Sequence, residues 1–548
     1  MTQSPGLEAL LAAAAPAVPR DLGTLVDRLR VAGQAARLIG PGTAVDREPG
    51  GGSVARTAVL VRDVTSDSRA ARPGSLFVAV PGARADGHDF VHEAVSAGAS
   101  AVLVEREVPD VPVPQVVVPS TRPALADAAA WLYGDPSREL GVVGITGTDG
   151  KTTTSLLAAG VFAAGGLRPG LIGTVATQIG GIREPNAEHS TTPEAPVIQR
   201  ALRAMVAAGD RAAIIETTSH GLALDRVAAV AYDVAIFTNL SHEHLELHGT
   251  FDAYRAAKLS LFDCLAVDRA HPVKPAVAWP RTGIVNADDP SAPVFAAATR
   301  SAGARLITFG RAEGADVRLV DVRDEAGGLE IAYRTSDGAA RLRLQLAGRY
   351  NAHNALAVIA LGRAIGLDEQ AVVAGLAAVD RVPGRMESVV RGQPFDVVID
   401  YAHSPASLAL VLDELGPVAA ARGGTLLAVF GSAGERDREK RPMLGRIAAE
   451  RCRVLVLTDE DPRGEDRAAI LAEIAAGARA VARRPEAILE IPDRRAAIGQ
   501  ALGLARPGDV VLLAGKGHEA TILQASHAEP WSERAEAEAA LAALGWAS

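Results

Sequence analysis

The stretch GVVGITGTDGKTTT, residues 141–154, indicates how the middle of the chain folds. A short apolar segment runs through a glycine-rich turn into a helical pattern, which is the strand–loop–helix arrangement that cradles phosphates. Glycines let backbone N–H groups approach the oxyanions, Lys151 reaches the terminal phosphates and Thr152 is placed to ligate Mg²⁺. The predicted ATP-binding residues are Gly147, Thr148, Asp149, Gly150, Lys151, Thr152 and Thr153.

The match to the strict phosphate-loop pattern is partial, because that pattern requires glycine where this chain has Ile145. A glycine-rich turn before a helix, with no nucleotide, is the alternative. The strand, the Gly-Lys-Thr sequence and the helix fall in register, and this favours ATP binding.

Apolar runs of strand length recur on both sides of this stretch. They include VLVRDV (59–64), AAIIE (212–216), VVID (397–400) and VVLLAG (510–515), with alanine-rich helical patterns between many of them. Short unalternating strands separated by helices predict an α/β fold with parallel sheets covered on both faces. The segment 316–348 alternates instead and contains turn residues, which predicts an antiparallel excursion.

A chain of 548 residues is expected to hold roughly three domains, since a single core rarely grows beyond ~250–300 residues. Turn formers concentrate at YGDPSREL (133–140) and RVPGRMES (381–388). These segments place the predicted domain boundaries and give domains 1–138, 139–382 and 383–548.

Composition and charge exclude several classes of protein. The formal net charge of −9 gives no electrostatic reason to expect a nucleic acid or an anionic membrane as partner. The spacing of Cys264 and Cys452 suggests neither a zinc site nor a disulfide framework. The N-terminus lacks the basic segment of a signal peptide, and the chain has no run of ~18 apolar residues, so a cytoplasmic protein is predicted.

Two later strands are followed by polar residues suited to a metal ion. Glu216 ends one strand, and His242, Glu243, His244 and His248 follow the next. A carboxylate and an imidazole near a triphosphate suit Mg²⁺. Zinc is the alternative because two of the histidines are four residues apart, but the H-E-x-x-H pattern fails and no other zinc ligand set is evident. Each histidine is also compatible with an ordinary helix-cap or core position.

The chain as a whole resembles the Mur ligase family. The motifs that carry the resemblance are GITGTDGKTTT, Thr-Thr-Pro at 191–193, ETTSHGL, FTNLSHEHLELHGTFDAYRAAKLSLF, NADD at 286–289, AGRYNAHNALA, VPGRME, DYAHSP, GERDREKRP, EDPRGED and AGKGHE. The likeness extends from Asp67-Ser68-Arg69 to about Glu519. Any one motif is weak, but their order along the chain is very specific.

The resemblance implies an N-terminal UDP-binding domain, a central P-loop ATPase domain and a C-terminal Rossmann-like domain that binds the amino acid. It implies ATP-dependent amide formation between UDP-N-acetylmuramoyl-L-alanyl-D-glutamate and a diamino acid, a step of peptidoglycan precursor synthesis. The carboxylate first takes the γ-phosphoryl group, the amine attacks the acyl phosphate, and phosphate leaves. ATP and Mg²⁺ are the implied cofactors, the UDP-sugar dipeptide and the free amino acid are the implied partners, and a monomer is expected.

The resemblance also assigns roles to individual residues. The implied catalytic residues are Lys151, His244 and Lys258, and the implied metal ligands are Thr152, Glu216, His244 and a carbamylated Lys258. The nucleotide side is assigned Asn286, Asn351, Asn354, Arg385 and Asp400; the muramoyl dipeptide Thr191, Thr192, Ser219 and Arg226; and the uridine-diphosphate end Ser68 and His88. Without the resemblance, Lys258 is typical of an ordinary lysine on a helix surface.

The chain departs from the family pattern at four positions. Asp149 stands where Asn is usual, His242 and Glu243 stand where Arg and Asp are usual, and Ser190 stands where Asn is common. These departures affect the detail of the site rather than the class of reaction, because the implied catalytic residues are all present.

The segment TDEDPRGED (458–466) follows an apolar run and is predicted to form a loop at a strand end, where open α/β sheets bind ligands. The resemblance assigns this loop to the incoming amino acid. Arg436 and Arg463 are the expected carboxylate ligands, because a guanidinium fork suits a carboxylate, and Gly515 and Glu519 match positions that meet the polar groups of the amino acid.

Charge in this loop bears on which amino acid is added. Asp461 stands where members that add meso-diaminopimelate usually carry Asn, and with Glu465 it is a candidate ligand for an amine. At ~4 Å and an effective dielectric near 20, one pair of charges is worth up to ~4 kcal/mol before desolvation and screening. An extra anion favours the lone side-chain ammonium of lysine or ornithine. Meso-diaminopimelate stays the alternative, because Arg463 beside Asp461 is able to neutralise it.

Three rival functions remain from the sequence. A folylpolyglutamate synthetase would lack the DSR and DGHDF motifs of the N-terminal domain. A non-catalytic nucleotide-binding paralogue would have lost Lys151, Glu216, His244 or Lys258, and none is lost. A phosphotransferase or motor-type P-loop protein would have no separate amino-acid site.

Overall fold

The computed structural model of the protein describes residues 6–16, 18–47, 53–82, 85–186, 190–241, 248–266, 279–325, 327–482 and 485–546. Its strands form three main sheets, which lie in three successive parts of the chain. Within these ranges, no helix is long and apolar enough to cross a membrane. The domain boundaries proposed from the sequence stay predictions.

The strands in the first part of the chain are β1 (Arg20–Asp21), β2 (Arg37–Ile39), β3 (Thr43–Arg47), β4 (Ser53–Thr57), β5 (Leu60–Val61), β6 (Asp63–Thr65), β7 (Ser75–Val78), β8 (Ala101–Val104) and β9 (Gln115–Val117). Five of these strands form a sheet in the order β2-β9-β8-β7-β6. The helices of this part are α1 (Leu7–Ala13), α2 (Leu22–Val31), α3 (Val91–Ser96) and α4 (Thr121–Tyr133), with short 3₁₀ helices at Ser68–Ala70, Gly87–Phe90 and Pro136–Arg138. Strands β6 to β9 are parallel, and β2 is antiparallel to β9.

The middle part forms an eleven-stranded sheet in the order β13-β12-β11-β14-β10-β15-β16-β17-β18-β19-β20. Its strands are β10 (Gly141–Thr146), β11 (Pro169–Ile172), β12 (Ala176–Ile179), β13 (Ile182–Pro185), β14 (Ala212–Glu216), β15 (Val234–Phe237), β16 (Thr282–Asn286), β17 (Arg305–Gly310), β18 (Val317–Glu325), β19 (Gly328–Thr335) and β20 (Gly338–Leu344). Its helices are α5 (Lys151–Ala164), α6 (Ala195–Ala208), α7 (Ser219–Ala223), α8 (Phe251–Asp263), α9 (Ala292–Ser301), α10 (Asn351–Ile365) and α11 (Glu369–Ala377).

Strands β11, β14, β10, β15, β16, β17 and β18 are parallel to one another, whereas β12 and β13 are antiparallel, and one apolar core packs on each face of the sheet. Strands β10, β11, β14, β15 and β16 are buried on both sides, which is why their sequences are largely apolar runs. Strands β18, β19 and β20 form an antiparallel meander at one edge. The antiparallel excursion predicted for residues 316–348 is therefore confirmed.

The last part forms a six-stranded sheet in the order β21-β22-β26-β23-β24-β25, parallel except for β21. Its strands are β21 (Glu387–Ser388), β22 (Asp396–Asp400), β23 (Leu426–Phe430), β24 (Val454–Leu457), β25 (Ala487–Glu490) and β26 (Val510–Ala514), followed by the hairpin β27 (Thr521–Leu523) and β28 (Ala528–Pro530). Its helices are α12 (Pro405–Ala421), α13 (Lys440–Arg451), α14 (Arg467–Arg479), α15 (Arg494–Leu504) and α16 (Glu533–Ala543). Strand β26 is the last of these six in sequence but lies between β22 and β23. Because β23 is parallel to both β24 and β26, the loops after β24 and β26 lie at the same edge of the sheet.

Candidate active site

The phosphate loop joins β10 to α5, as predicted. Gly147 has φ +153° and Gly150 has φ +82°, and a Cβ built on Gly147 would lie 1.9 Å from Thr238 Oγ1. Asp149 N–H donates to Asn239 Oδ1 at 2.9 Å, which ties the loop to the segment after β15. The two glycines are therefore required by the backbone conformation and by a close neighbour. They leave the amide edge of the loop open toward a cavity.

Lys151 lies at the mouth of this loop. Its Nζ donates to Gly147 O at 2.9 Å and to Thr148 O at 2.7 Å. An ammonium held by carbonyl oxygens at the start of a helix is close to the place where a phosphate would accept from it. The assignment of Lys151 to the terminal phosphates of ATP stays a prediction.

Glu216 ends β14 and lies beside Thr152, the second residue of α5. Thr152 Oγ1 donates to Glu216 Oε2 at 2.8 Å, and Ser155 Oγ and Thr174 N–H donate to Oε1 at 3.2 and 3.0 Å. The carboxylate is buried, with 1% of its surface exposed. The register of β14 against β10 explains this meeting, because Glu216 pairs with Ile145 just before the loop.

This donor set fits the predicted magnesium ion. Carboxylate and hydroxyl oxygens are the hard ligands that Mg²⁺ prefers, and Mg²⁺ at a nucleotide site usually takes only one or two protein ligands. The described residues contain no cluster of three or more His, Cys, Asp or Glu side chains that would hold a metal by themselves. His242, Glu243 and His244 lie outside the described residues.

Lys258 also points at the phosphate loop. It lies on α8, where its side chain is 2% exposed, its Nζ donates to Gly147 O at 2.7 Å and its ammonium lies 4.4 Å from the centre of the Tyr254 ring. The Tyr254 hydroxyl is 3.1 Å from Thr148 Oγ1. Lys258 is thus a buried residue of the site and not the surface lysine that its local sequence indicates.

The loop opens into a cavity of about 420 Å³, here called the nucleotide cavity. Among the residues that line it are Lys151, Asn286, Tyr350, Asn354, Arg385, Asp400, Leu410 and Val411. Asn354 Nδ2 donates to Asn351 Oδ1 at 2.8 Å, and Asn286 Nδ2 donates to Thr238 O at 2.7 Å. Asn351 is buried behind Asn354, so of the predicted adenine-side residues it is the one that does not line the cavity.

Arg385 and Asp400 bring the C-terminal sheet to this cavity. The Arg385 guanidinium lies 4.6 Å from the centre of the Tyr401 ring. Asp400 accepts from Met386 N–H and from Ala402 N–H, both at 2.8 Å. Burial raises the pKa of the Asp400 carboxyl, although the Arg385 charge opposes this.

The residues predicted to hold the muramoyl dipeptide lie at the other side of Glu216. Thr191 Oγ1 is 3.0 Å from Thr174 Oγ1, and Thr191 lines the cavity. Thr192 is buried and donates to Glu216 O at 2.7 Å, so it braces the loop. Arg226 donates to Ser190 Oγ at 3.1 Å and to Thr192 O at 2.9 Å.

Ser219, at the start of α7, is 1% exposed, and its hydroxyl has no hydrogen-bond partner within the described part of the chain. It is one of the few polar atoms near this loop that is left unsatisfied. Its assignment to the muramoyl dipeptide stays a prediction.

Ser68 and His88 lie in the N-terminal part. Ser68 begins a 3₁₀ turn that is capped by Asp67. His88 is buried, with Nδ1 at 2.6 Å from Asp86 Oδ1 and Nε2 accepting from Glu105 N–H at 2.9 Å. Both ring nitrogens of His88 are engaged within the protein, so His88 shapes this loop rather than presenting a free nitrogen to a ligand.

A second cavity, of about 620 Å³, adjoins the first and is here called the amino-acid cavity. The residues that line both cavities are Thr174, Thr191, Tyr401 and His403. Arg436, Glu460, Asp461, Arg463, His518 and Glu519 also line the second cavity. The loop at 458–466 therefore borders a pocket continuous with the nucleotide site, where the sequence predicts the amino acid.

Asp461 does not present a free anion to this cavity. Lys516 Nζ donates to Asp461 Oδ1 at 2.8 Å, and Leu523 N–H donates to the same oxygen at 2.9 Å. Lys516 is fully buried and also pairs with Glu519. The charge that neutralises Asp461 comes from Lys516 and not from Arg463. Lys516 was not predicted from the sequence as a residue of this site, although it lies in the motif AGKGHE between Gly515 and Glu519, which were.

Glu465, the other candidate ligand for an amine, does not have that role, because its carboxylate oxygens are engaged within the protein. Its two oxygens accept from both terminal nitrogens of Arg441 at 2.8 Å, and Glu435 N–H donates to it at 2.9 Å. The Arg441 guanidinium lowers the pKa of Glu465 to about 2. Glu465 braces the loop and does not line the cavity.

Three polar groups of the amino-acid cavity remain available. Arg436 forms no hydrogen bond or ion pair with the described residues, and Arg463 makes one weak side-chain bond, to Gly434 O at 3.4 Å. Glu460 Oε2 is buried and also has no hydrogen-bond partner among these residues. A Cβ on Gly515 would lie 3.4 Å from that oxygen. The cavity therefore holds two guanidinium groups and one carboxylate that are able to bind a ligand.

His518 and Glu519 complete the wall. Burial, helped by the charges of Arg385 and Lys516, lowers the pKa of His518 to about 3, so the imidazole is neutral at neutral pH. Burial raises the pKa of Glu519, and Lys516 opposes this. His518 was not selected from the sequence, because a single histidine in a glycine-rich motif carries no local signal of its surroundings.

Each of the three parts of the chain matches a known family of protein domains. Residues 61–133 match the description "Mur ligase family, catalytic domain", residues 145–362 match "Mur ligase middle domain", and residues 384–517 match "Mur ligase, glutamate ligase domain". A UDP-N-acetylmuramyl-tripeptide synthetase of Roseiflexus sp. (strain RS-1) is 47% identical over 493 residues, 89% of this chain and 95% of the relative.

Two further proteins are similar over nearly the full chain. A UDP-N-acetylmuramoyl-L-alanyl-D-glutamate–2,6-diaminopimelate ligase of Geobacillus kaustophilus is 39% identical over 479 residues, 87% of this chain and 94% of the relative. A solved structure of a ligase with the same name superposes with a TM-score of 0.61 at 29% identity, covering 89% of this chain and 96% of that one.

Proposed function

Since the chain belongs to the Mur ligase family and has its three-domain architecture, we propose that it joins a diamino acid to UDP-N-acetylmuramoyl-L-alanyl-D-glutamate. Members of this family are ATP-dependent ligases that form amide bonds, and this chain is such an enzyme. The observation that carries the finer proposal is the pair of adjoining cavities, which share Thr174, Thr191, Tyr401 and His403. A carboxylate placed at this junction is able to meet ATP on one side and an amine on the other.

The chemistry needs such a junction. A carboxylate is a poor electrophile, so its oxygen first takes the γ-phosphoryl group of ATP and becomes an acyl phosphate. The amine of the incoming amino acid then attacks the carbonyl carbon, the tetrahedral intermediate expels phosphate, and the amine loses a proton. The protein has to hold three reactants in line and stabilise oxyanions.

The residues around the phosphate loop suit the first step. Lys151 is proposed to bind the transferred phosphoryl group, and Thr152 with Glu216 would hold Mg²⁺, which would supply charge neutralisation at the phosphates. Lys258, carbamylated as its resemblance implies, and His244 are proposed to complete that site. Thr191, Ser219 and Arg226 are proposed at the muramoyl dipeptide, and Ser68 at the uridine-diphosphate end.

We further propose that the amino acid is meso-diaminopimelate, with lysine or ornithine as the alternative. The reason for expecting lysine or ornithine was a free anion at Asp461, and Lys516 takes up that anion. Arg436 and Arg463 are proposed to bind two carboxylates, and Glu460 Oε2 is proposed to bind an ammonium. With Lys516, the charged side chains of the cavity balance: Arg436, Lys440, Arg463 and Lys516 against Asp437, Glu460, Asp461 and Glu519. Diaminopimelate is neutral overall, whereas lysine carries a net positive charge.

The test measures phosphate release with ATP, Mg²⁺ and UDP-N-acetylmuramoyl-L-alanyl-D-glutamate, offering meso-diaminopimelate, lysine and ornithine in parallel. We expect release to need both the dipeptide substrate and an amino acid, and kcat/KM to be highest for diaminopimelate. A preference for lysine or ornithine would refute the choice of amino acid alone. Full ATPase activity without either co-substrate would refute the ligase reaction and favour a phosphotransferase or motor, and no activity at all would favour the non-catalytic paralogue.

A further inference from the structure

One buried ion pair of the C-terminal sheet touches both loops of the amino-acid cavity without lining it. Arg494, the first residue of α15, and Glu533, the first residue of α16, have fully buried side chains. Arg494 NH2 donates to Glu533 Oε1 at 2.6 Å and its Nε donates to Oε2 at 2.9 Å. Trp531 Nε1 donates to Glu533 Oε2 at 2.7 Å.

The remaining N–H groups of Arg494 reach two strand ends. NH1 donates to Asp459 O at 2.9 Å, two residues beyond β24, and NH2 donates to Ala514 O at 2.8 Å, the last residue of β26. These two strands are not neighbours, because β23 lies between them. One planar guanidinium therefore fixes the separation of two loops that no ladder of strand hydrogen bonds connects directly.

The residues next in sequence to these two carbonyls belong to the amino-acid cavity. Glu460 and Asp461 follow Asp459, while Gly515 and Lys516 follow Ala514. Across the gap, Lys516 Nζ meets Asp461 Oδ1 at 2.8 Å, and Gly515 lies beside Glu460 Oε2. The spacing set by Arg494 is thus the spacing of the charged groups in the cavity wall.

Stability alone gives a poor reason for this pair. A buried ion pair loses the hydration of both charges, and replacing the whole pair by well-packed apolar or neutral groups is often neutral or stabilising. Breaking it by a single substitution is strongly destabilising, because one charge stays buried without its partner. The pair has to be removed as a unit to separate geometry from stability.

We propose that Arg494, held by Glu533, is a positioning residue that sets the distance between the loops after β24 and β26 and so determines amino-acid affinity. This rests on the proposed function, in that the cavity between these loops receives the amino acid. Arg494 touches no substrate in this arrangement and acts only through Asp459 O and Ala514 O.

The test compares two double variants. R494M/E533Q removes the ion pair and leaves an acceptor for Trp531 Nε1. The matched control R453M/D509N removes a pair at the opposite ends of the same strands, where Arg453 NH2 lies 2.7 Å from Asp509 Oδ2 and both side chains are largely buried. Both variants remove a guanidinium and turn a carboxylate into an amide in the same sheet, so they are a matched pair. Thermal unfolding of both variants checks that they are equally folded.

We expect R494M/E533Q to raise KM for the amino acid about tenfold to a hundredfold, the scale of a displacement of about 1 Å at a reactive site. KM for ATP should stay within about twofold, and the control should change neither constant. A third variant, R494K, keeps the charge but has no fork to reach both carbonyls, and it should resemble R494M/E533Q rather than wild type.

The outcomes separate the two proposals. If wild type turns over and R494M/E533Q keeps the wild-type KM for the amino acid, the positioning role is refuted. If wild type itself shows no release that depends on an amino acid, the proposed function fails instead. A crystal structure of the variant then decides the geometry: an unchanged Asp461–Lys516 pair and unchanged loops would refute the positioning role, and separated loops would support it.

Discussion

The two cavities that meet at Thr174, Thr191, Tyr401 and His403 are built in different ways. The nucleotide cavity depends on backbone: two glycines with positive φ, a helix N-terminus and a strand that carries Glu216 next to the loop. The amino-acid cavity depends on charged side chains that come from separate strand ends and pair with one another. A conformational requirement defines the first cavity, and a balance of charges defines the second.

Because of this difference, the two cavities are expected to respond differently to substitution. In the nucleotide cavity, the side chain of Asp149 is exposed on a loop whose backbone amides are proposed to bind phosphate, so a substitution at Asp149 should be tolerated. Lys151 is the exception, because no backbone group replaces its charge. In the amino-acid cavity some charges are paired, as in Asp461 with Lys516, and others are proposed to bind the ligand, as in Glu460. Removing one charge there also changes the state of its partner.

The largest effect is expected at the phosphate loop. K151M should lower the rate of phosphate release about 10³-fold, because the loss removes a charge that stabilises the transferred phosphoryl group. Single-turnover measurements at saturating ATP give this rate. The control D149N should stay within a few-fold of wild type, since the backbone N–H and carbonyl oxygen of residue 149 make hydrogen bonds in the loop that an asparagine makes as well. Equal losses in both variants would contradict the division between backbone and side chain.

The next largest effect is expected for the two guanidinium groups of the amino-acid cavity. R436Q and R463Q should each raise KM for diaminopimelate about tenfold to a hundredfold, the scale of a charged hydrogen bond worth ~1.5–3 kcal/mol. One of the two should affect lysine equally, because it holds the α-carboxylate, and the other should affect lysine little. Steady-state kinetics with both amino acids measures this. Identical effects of both variants on both substrates would contradict the two-carboxylate proposal.

A small effect is expected at Asp461. D461N should change the preference between lysine and diaminopimelate by no more than about threefold, or ~0.7 kcal/mol. The amide oxygen still accepts from Leu523 N–H and from Lys516, and Lys516 keeps Glu519 as its counter-ion. By contrast, K516M leaves the buried carboxylate of Asp461 and the partly buried carboxylate of Glu519 without their cation and should weaken the use of every amino acid. A large change of preference in D461N would restore the argument that Asp461 selects lysine.

The smallest effect concerns acid stability. The folded-state pKa of Glu465 is about 2, below its ordinary value of 4.5, because Arg441 favours the carboxylate. Its contribution to stability is therefore fully present above pH 4.5 and is lost as the pH falls toward 2. Urea unfolding of wild type and E465Q at several pH values measures it. The two curves should differ at pH 6 and converge below pH 3, and a difference that does not depend on pH would contradict this role.

Local sequence was enough wherever a feature depends on residues close together in the chain. The phosphate loop at 147–150 follows from glycines between an apolar strand and a helix. The strands were predictable because a strand buried on both faces is an uninterrupted apolar run. The meander at 317–344 was predictable because a half-exposed strand alternates.

The pairing of charges was not predictable in the same way. Lys258 has the local pattern of a surface lysine, yet the tertiary structure buries it against Gly147. Glu465 was selected as an amine ligand and is held by Arg441 instead. Lys516 was overlooked because its partner Asp461 is 55 residues away in sequence.

The α/β architecture, the phosphate loop, the family and the loop that borders the amino-acid cavity can therefore be predicted from residues close together in the chain. Which charges of that cavity are free depends on tertiary contacts, because the charge pairs join residues far apart in sequence. Strand β26 lies between β22 and β23, and Arg494 spans from β26 to the loop after β24. Backbone conformation depends on near neighbours in the chain, whereas Coulomb interactions depend on distance in space. The order of the strands in the sheet determines which residues that are distant in sequence become close in space.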